Sequence, residues 1–338
     1  MPKVTIDDIT IEVPDGTTIL QAARMIDDQF EAGIAPPAMC YYSKLKTTGG
    51  YCRTCIVKVE KGSEKDPRPM PKPVASCKTT VMDGMVVRNV TSPEIQEARA
   101  GVVEFLLINH PLDCPICDQA GECNLQDLGY GNGKEGTRFE FRRREFENIN
   151  IGDKIKLNMN RCILCYRCVK ACDQLTDKRV HGVIDRGDHS EISTYIQNAI
   201  DNDFSGNVID VCPVGALTDK TFRFKSRVWF TKPLDAHRNC TKCSGKVRLW
   251  MKGDEVLRVT ARKDRWDEVE EFICNDCRFE KKKVSDWEIE GPTKVNRHSV
   301  IAQNKYWYSK LRLYQTKVKM LEGQKADLGE GPLNPNNS

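Results

Sequence analysis

Apolar and polar residues alternate at the start of the chain. Val4 and Ile6, then Ile9, Ile11 and Val13, keep a period of two on either side of Asp7-Asp8. Alternation broken by two turn-forming residues predicts a β-hairpin. The period then lengthens. Ile19, Ala22, Ala23 and Ile26 fall on one helical face, and Thr18 with Gln21 has the spacing of a capping box. A hairpin, a helix and then a cysteine-bearing loop suit a small β-grasp domain. The charged, proline-rich stretch from Glu60 to Pro73 reads as a surface loop.

Helical spacing returns after Ser92-Pro93, with Ser92 as N-cap and Pro93 at the first helical position. Ile95, Ala98, Val102 and Phe105 continue the apolar face. Pro111 is expected to end this helix and to leave His110 at its terminus. "GYGNGKEG" then reads as a glycine-rich loop, and Arg142–Arg144 as a basic cluster. A cysteine-rich segment runs from about 154 to 226, and a strand-like one from Val228 to Phe279. Beyond about 280 the chain is polar. "KYWYSKLRLYQTKVKML" has helical character, and "KADLGEGPLNPNNS" reads as disordered. No internal repeat of fixed period is present. The expected class is α+β, in five parts: 1–92, 93–150, 151–227, 228–280 and a tail over 281–338.

Composition adds the chemistry. Sixteen cysteines in 338 residues imply either a disulfide framework or metal sites in a reducing compartment. "MPKVTIDDITIEV" shows no secretory leader, and the chain is long for a disulfide scaffold, so metals are expected. No stretch approaches the ~18 apolar residues of a membrane span, so no direct membrane insertion is expected. The formal charge of +4 hints at an anionic partner. An iron–sulfur core of about +2 with four thiolates carries about −2, however, and two or three such sites cancel the excess. Nucleic acid is therefore not expected as a partner.

The cysteines fall into four groups. Cys40, Cys52, Cys55 and Cys77 have a ferredoxin-like order: one cysteine, a C-x-x-C pair, then a distant cysteine. The glycines of "GGYCRTC" suit backbone that packs against a cluster and donates N–H groups to sulfur. This predicts a [2Fe–2S] site, with zinc as the alternative. Cys114, Cys117 and Cys123 supply three thiolates without a fourth nearby. Neutral imidazole binds iron in Rieske centres, so His110 can complete a [4Fe–4S] site; the alternative is a histidine that only caps its helix. Cys162, Cys165, Cys168 and Cys172 form the bacterial ferredoxin run, followed by Cys212-Pro213. In that motif the Cys-Pro cysteine completes the first cluster, and here the C-x-x-C of a second cluster is missing. One [4Fe–4S] site on Cys162, Cys165, Cys168 and Cys212 is expected, with Cys172 left over as a small buried side chain. Cys240, Cys243, Cys274 and Cys277 make two C-x-x-C knuckles that fit zinc, or a third [4Fe–4S] cluster.

Gly131, Gly133 and Gly136 match G-x-G-x-x-G, but no strand precedes and no helix opens after them, so NAD binding by this chain is not expected. His181, His189, His237 and His298 have no cysteine neighbours in sequence and read as ordinary. No nucleophile–base pair or phosphate loop is present, so no catalytic residue is expected on this chain.

The order of these motifs resembles the family of the large iron–sulfur subunit of respiratory complex I, the bacterial NADH–quinone oxidoreductase. "AMCYYSKLKTTGGYCRTC" resembles its [2Fe–2S] loop, and "HPLDCPICDQAGECNLQD" its His-and-three-Cys signature. "RCILCYRCVKAC" with "VCPVGAL" resembles its ferredoxin-like segment. The likeness covers roughly residues 1–280. It implies an electron-transfer subunit that passes electrons from NADH and flavin toward quinone, within an ion-translocating complex. It implies as partners a flavin/NADH-binding subunit and other peripheral iron–sulfur subunits, at the cytoplasmic side of a bacterial inner membrane. The family usually continues into a molybdopterin-oxidoreductase-like domain whose first segment carries C-x2-C-x3-C and a distant cysteine. Here Val247 stands where the third cysteine would fall, Cys277 is an extra thiol, and the expected form is a short one without that domain. Cluster subunits of soluble NAD-linked hydrogenases and formate dehydrogenase partners resemble residues 1–225 equally well.

Overall fold

Asp7 and Asp8 both adopt left-handed backbone, at φ 45° and 71°, and turn the chain between β1 (Lys3–Ile6) and β2 (Ile9–Glu12). The structure, a computed structural model, describes residues 1–293 other than 135, 141, 148, 177–180 and 195–199. The expected helix within 305–321, the part of the tail beyond residue 293, and His298 lie outside the described residues. Thr18 caps α1 (Ile19–Phe30): Gln21 N–H donates to Thr18 Oγ1 at 3.3 Å, and Thr18 N–H donates to Gln21 Oε1 at 2.9 Å. β3 (Ile56–Lys61), β4 (Val74–Ala75) and β5 (Met85–Arg88) complete a five-stranded sheet in the order β2-β1-β5-β3-β4, with β1 and β5 parallel. Val4, Ile6, Val57, Val59 and Val87 bury against Ile19, Ala22, Ala23 and Ile26. Each fully buried aliphatic side chain contributes about 1.5–3 kcal/mol. This packing leaves the cysteine loop of residues 40–55 at the edge of the β-grasp core.

α2 (Pro93–Leu107) starts where expected, with Ser92 Oγ accepting from Ile95 N–H. Its buried face differs from the expected one. Ile95, Arg99 and Val103 point inward, whereas Phe105 is 75% exposed. Arg99 occupies the middle of that face because its guanidinium donates to the carbonyls of Thr54 at 3.0 Å and Ile56 at 2.9 Å, and to the Asn89 side chain. A buried cation with matched acceptors takes a place that a search for apolar residues cannot find. The helix also ends earlier than expected, at Leu107, and His110 N–H closes a further turn onto Leu107 O at 3.0 Å.

α3 (Asn124–Asn132) corrects the expected loop, because it runs through Gly129 and Gly131. The glycine motif thus marks the end of a helix, with Gly133 N–H donating to Gly129 O at 2.8 Å. Phosphate binding uses the opposite end of a helix. β6 (Ile155–Leu157), α4 (Arg167–Leu175), β7 (His181–Ile184), β8 (Glu191–Thr194), α5 (Asn207–Val211) and β9 (Leu217–Asp219) follow. β6 pairs with β9, which brings the segments holding Cys162 and Cys212 together, and β7 pairs with β8.

β10 (Lys232–His237), β11 (Val247–Lys252), β12 (Glu255–Ala261) and β13 (Glu288–Pro292) form an antiparallel sheet in the order β12-β11-β10-β13. β13 lies beyond residue 280, where the sequence pattern placed only a tail. The observed class is α+β. Among the described residues no helix is long and apolar enough to cross a membrane.

Candidate metal centres

In the first group, Cys40, Cys52, Cys55 and Cys77 are all buried. Backbone N–H groups point at the sulfurs: Gly50 donates to Cys77 Sγ at 3.2 Å, and Tyr51 and Cys52 to Cys40 Sγ at 3.3 and 3.4 Å. The loop reaches this arrangement through left-handed backbone at Gly49 (φ 93°), Gly50 (φ 90°) and Arg53 (φ 62°). A Cβ on Gly49 would stand 3.2 Å from Cys77 Sγ. Hydrogen bonds from the Cys52 and Cys77 thiols hold the Cys40 thiol far below its usual range. N–H groups converging on sulfur suit negatively charged thiolates around a cluster.

In the second group, His110 follows α2. Cys114 opens a short 3-10 turn and is exposed, Cys117 ends that turn, and Cys123 caps α3. Burial lowers the His110 imidazole to about 4, and its Nδ1 is buried without a hydrogen-bond partner. A neutral ring with an unsatisfied buried nitrogen is the form that binds a metal. Asp113 and Arg161 are charged neighbours of both His110 and Cys117, so histidine and thiol share one electrostatic environment.

The third group lines one pocket. Cys162, Cys165, Cys168 and Cys212 surround it together with Leu157, Ile192, Val214 and Leu217. Cys172 is 1% exposed but does not line this pocket; it packs in the adjoining core. Left-handed Leu164 (φ 51°) and Tyr166 (φ 61°) wind the ferredoxin run, and Leu164 N–H donates to Cys162 Sγ at 3.4 Å. Burial raises the thiols of Cys162, Cys168 and Cys212 and pushes Cys165 up to about 12. Thiolates in so dry a place need a compensating positive core, which an iron–sulfide cluster supplies. His181, expected to be ordinary, is not. Its ring is 2% exposed, and its Nε2 lies 3.2 Å from Cys168 Sγ. Thirteen positions separate the two residues, so no local spacing announced the contact.

In the fourth group, Cys240 and Cys243 stand between β10 and β11. Cys274 and Cys277 precede and enter a π-helical turn at Asp276–Glu280. All four sulfurs lie within 4.8 Å of one another. Lys242 N–H donates to Cys240 Sγ at 3.5 Å and Gly245 N–H to Cys243 Sγ at 3.4 Å. Burial opposes ionisation of Cys240, yet the N–H groups of Lys242 and Cys243 help hold it at about 6; burial raises Cys274 and Cys277.

The groups are joined by residues that the motif reading passed over. Arg167, inside the ferredoxin run, donates to the carbonyls of Ala38 at 2.9 Å and Tyr41 at 2.6 Å, around Cys40. Tyr51 and Tyr166, each beside a cysteine, meet edge to face with ring centroids 4.7 Å apart. On the other side, the loop after Cys212 packs on the second group. Asn124 N–H donates to Pro213 O at 3.1 Å, and a Cβ on Gly215 would fall 2.2 Å from Cys117 Sγ. Cys40, Cys52, Cys123, Cys165, Cys168 and Cys212 consequently share one hydrophobic core.

Family models match successive segments of this chain. Residues 2–92 match a 2Fe-2S iron-sulfur cluster binding domain. Residues 99–138 match the NADH-ubiquinone oxidoreductase-G iron-sulfur binding region, and residues 152–218 the ferredoxin-like domain of NADH-quinone oxidoreductase subunit 3. The G subunit of NADH-quinone oxidoreductase from Rickettsia bellii is 37% identical over 98% of this chain and 46% of its own length. The NADH-ubiquinone oxidoreductase 75 kDa subunit of Reclinomonas americana is 43% identical over 82% of this chain and 38% of its own. This chain thus spans less than half the length of these relatives. A chain from a crystal structure of NAD+-reducing [NiFe]-hydrogenase superposes with a TM-score of 0.56 at 26% identity, covering 67% of this chain and 91% of that one.

Proposed function

This chain belongs to the family of the large iron–sulfur (G) subunit of NADH-quinone oxidoreductase, and we propose that it relays electrons from a flavin/NADH-binding partner toward quinone through three iron–sulfur clusters. A [2Fe–2S] cluster would be held by Cys40, Cys52, Cys55 and Cys77, and a [4Fe–4S] cluster by His110, Cys114, Cys117 and Cys123. A second [4Fe–4S] cluster would be held by Cys162, Cys165, Cys168 and Cys212. The observation that carries this reading is the shared core, in which cysteines of all three groups pack together in one buried cluster of side chains.

The clusters supply the one-electron chemistry when bound. The chain's own residues tune and separate them. N–H groups from Gly50, Tyr51 and Cys52 stabilise negative charge on the first set of sulfurs. His181, in the tautomer that carries its proton on Nε2, would do the same for Cys168. Neutral His110, in place of a fourth thiolate, leaves its site about one charge less negative and raises its potential. Phe105, Leu112 and Ile116 are 75%, 83% and 58% exposed around the second group, which favours a partner of the redox complex docking there.

The alternative is a relay component of a soluble NAD-linked hydrogenase. Identity of 37% to the Rickettsia relative, against 26% to the hydrogenase chain, favours the quinone-linked family. Metal and sulfide analysis of anaerobically purified protein, with low-temperature EPR after dithionite reduction, tests the reading. About ten iron and ten sulfide per chain are expected. Cys172→Ala should leave all signals intact, whereas Cys212→Ala should remove one [4Fe–4S] signal. A protein without iron, or equal losses in both variants, would overturn the assignment.

A further inference from the structure

Three sulfur pairs in the fourth group, Cys240–Cys274, Cys243–Cys274 and Cys243–Cys277, are each 3.7 Å apart. A tetrahedral zinc–thiolate site with bonds of about 2.3 Å has an edge of roughly 3.8 Å between sulfurs. A cubane cluster cannot fit this spacing, because each cysteine binds a different iron and the iron–sulfide core must sit between them. Disulfides are also excluded, since the bonded distance is about 2.05 Å. The third group shows the contrast: its cysteines surround a pocket, and they do not form a tight quartet.

The local backbone is built for a single ion. N–H groups two residues after Cys240 and Cys243 point back at those sulfurs. The second of these donors is Gly245, at φ 71°, where a Cβ would collide with Arg238 O at 2.0 Å. Four thiolates of this geometry take zinc or iron, and the divalent affinity order favours zinc over ferrous iron.

The second knuckle also grips α5. Asn275, between the two cysteines, donates through Nδ2 to Asn202 O at 2.8 Å and accepts from Gly206 N–H at 2.9 Å. Arg278, directly after Cys277, forms a buried ion pair with Asp210. Asn207, on α5, donates to Ile273 O at 2.8 Å. Cys212 caps the C-terminal end of that helix.

We propose that Cys240, Cys243, Cys274 and Cys277 hold one structural zinc ion, and that the Cys274–Cys277 knuckle braces the helix that presents Cys212. The zinc site stands independently of the cluster reading; only the brace rests on it. A zinc ion has no accessible one-electron couple, so the fourth site then takes no part in electron transfer.

Zinc K-edge absorption of the full chain, purified anaerobically without chelator, tests the ion. One zinc per chain with four sulfurs at about 2.3 Å is expected. A zinc-free protein with either a single tetrahedral iron or four additional irons at these cysteines would overturn the proposal, whatever the other sites contain. For the brace, Cys240→Ser should speed zinc loss to a chelator by on the order of tenfold or more. The EPR signal of the Cys212-dependent cluster should decay faster alongside it and recover its lifetime when zinc is restored. Unchanged decay after zinc removal would overturn the brace while leaving the zinc site standing.

Discussion

Arg161 Nη2 lies 2.5 Å from Asp113 Oδ2, pairing the residue before Cys162 with the residue before Cys114. The same guanidinium reaches Gly215 O at 3.5 Å, so one side chain touches the approaches to both proposed [4Fe–4S] sites. Only 7% of the Arg161 side chain is exposed. Arg161→Met should lower the midpoint of the His110-containing cluster, because a nearby positive charge that favours the reduced, more negative state is lost. It should also cost about 2 kcal/mol by leaving Asp113 without its charged partner. Potentiometric EPR and chemical denaturation read the two effects, and an unchanged or raised midpoint would contradict the account.

Gly215 tests how closely the two sites approach. Alanine there would put a Cβ 2.2 Å from Cys117 Sγ. The backbone on either side is tied down by β9 and by the Asn124–Pro213 hydrogen bond, so it cannot simply swing away. Gly215→Ala should therefore yield protein short of about four iron per chain, with the [2Fe–2S] signal retained. Full iron content would show that the loop relaxes.

His181→Leu keeps the volume of the buried ring roughly constant and removes the contact to Cys168. A hydrogen bond of about 1 kcal/mol that favours the reduced cluster corresponds to about 40 mV in a one-electron couple. The midpoint of the cluster served by Cys168 should fall by that order, with the other midpoints unmoved. A uniform shift of all signals would instead indicate a general loss of packing.

Lys282 offers a pH test away from the cysteines. Burial lowers its amine from the ordinary 10.5 to about 8, and Nζ makes no hydrogen bond among the described residues. Between about pH 8 and 10.5 the unfolded chain binds the proton that the folded chain releases, so this group makes stability rise with pH across that window. Below about pH 8 the full penalty is present. Lys282→Met should stabilise the protein by about 2 kcal/mol at about pH 7, and its advantage should shrink as pH approaches about 10. Thermal midpoints of the two proteins at about pH 7 and about pH 9.5 give the comparison; a constant difference would exclude the linkage.

Much of this molecule is written locally in its chain. The Asp7-Asp8 hairpin, the Thr18–Gln21 capping box and the Ser92-Pro93 helix start follow from neighbouring residues, and so does the grouping of cysteines in C-x-x-C runs. Such features depend on dihedral preferences and on reach along a few peptide units, and both are legible in residue order. The buried face of α2 is not legible in residue order, because Arg99 is polar by type and interior only by virtue of the carbonyls it meets. The helix through Gly129 and Gly131 runs against the weak helical preference of glycine, which tertiary packing overrides.

Tertiary structure alone decided the relations between segments. His181 on Cys168, Arg161 on Asp113, Gly215 against Cys117 and the Asn275 grip on α5 join residues that lie far apart along the chain. Spacing named the ligand types, since a cluster needs several thiolates from one short loop. Packing set their distances, and at Cys240, Cys243, Cys274 and Cys277 those distances are the basis for proposing one ion in place of a cubane. Ligand identity is a property of side chains, whereas nuclearity is a property of the space between them, and that space exists only once the chain has folded.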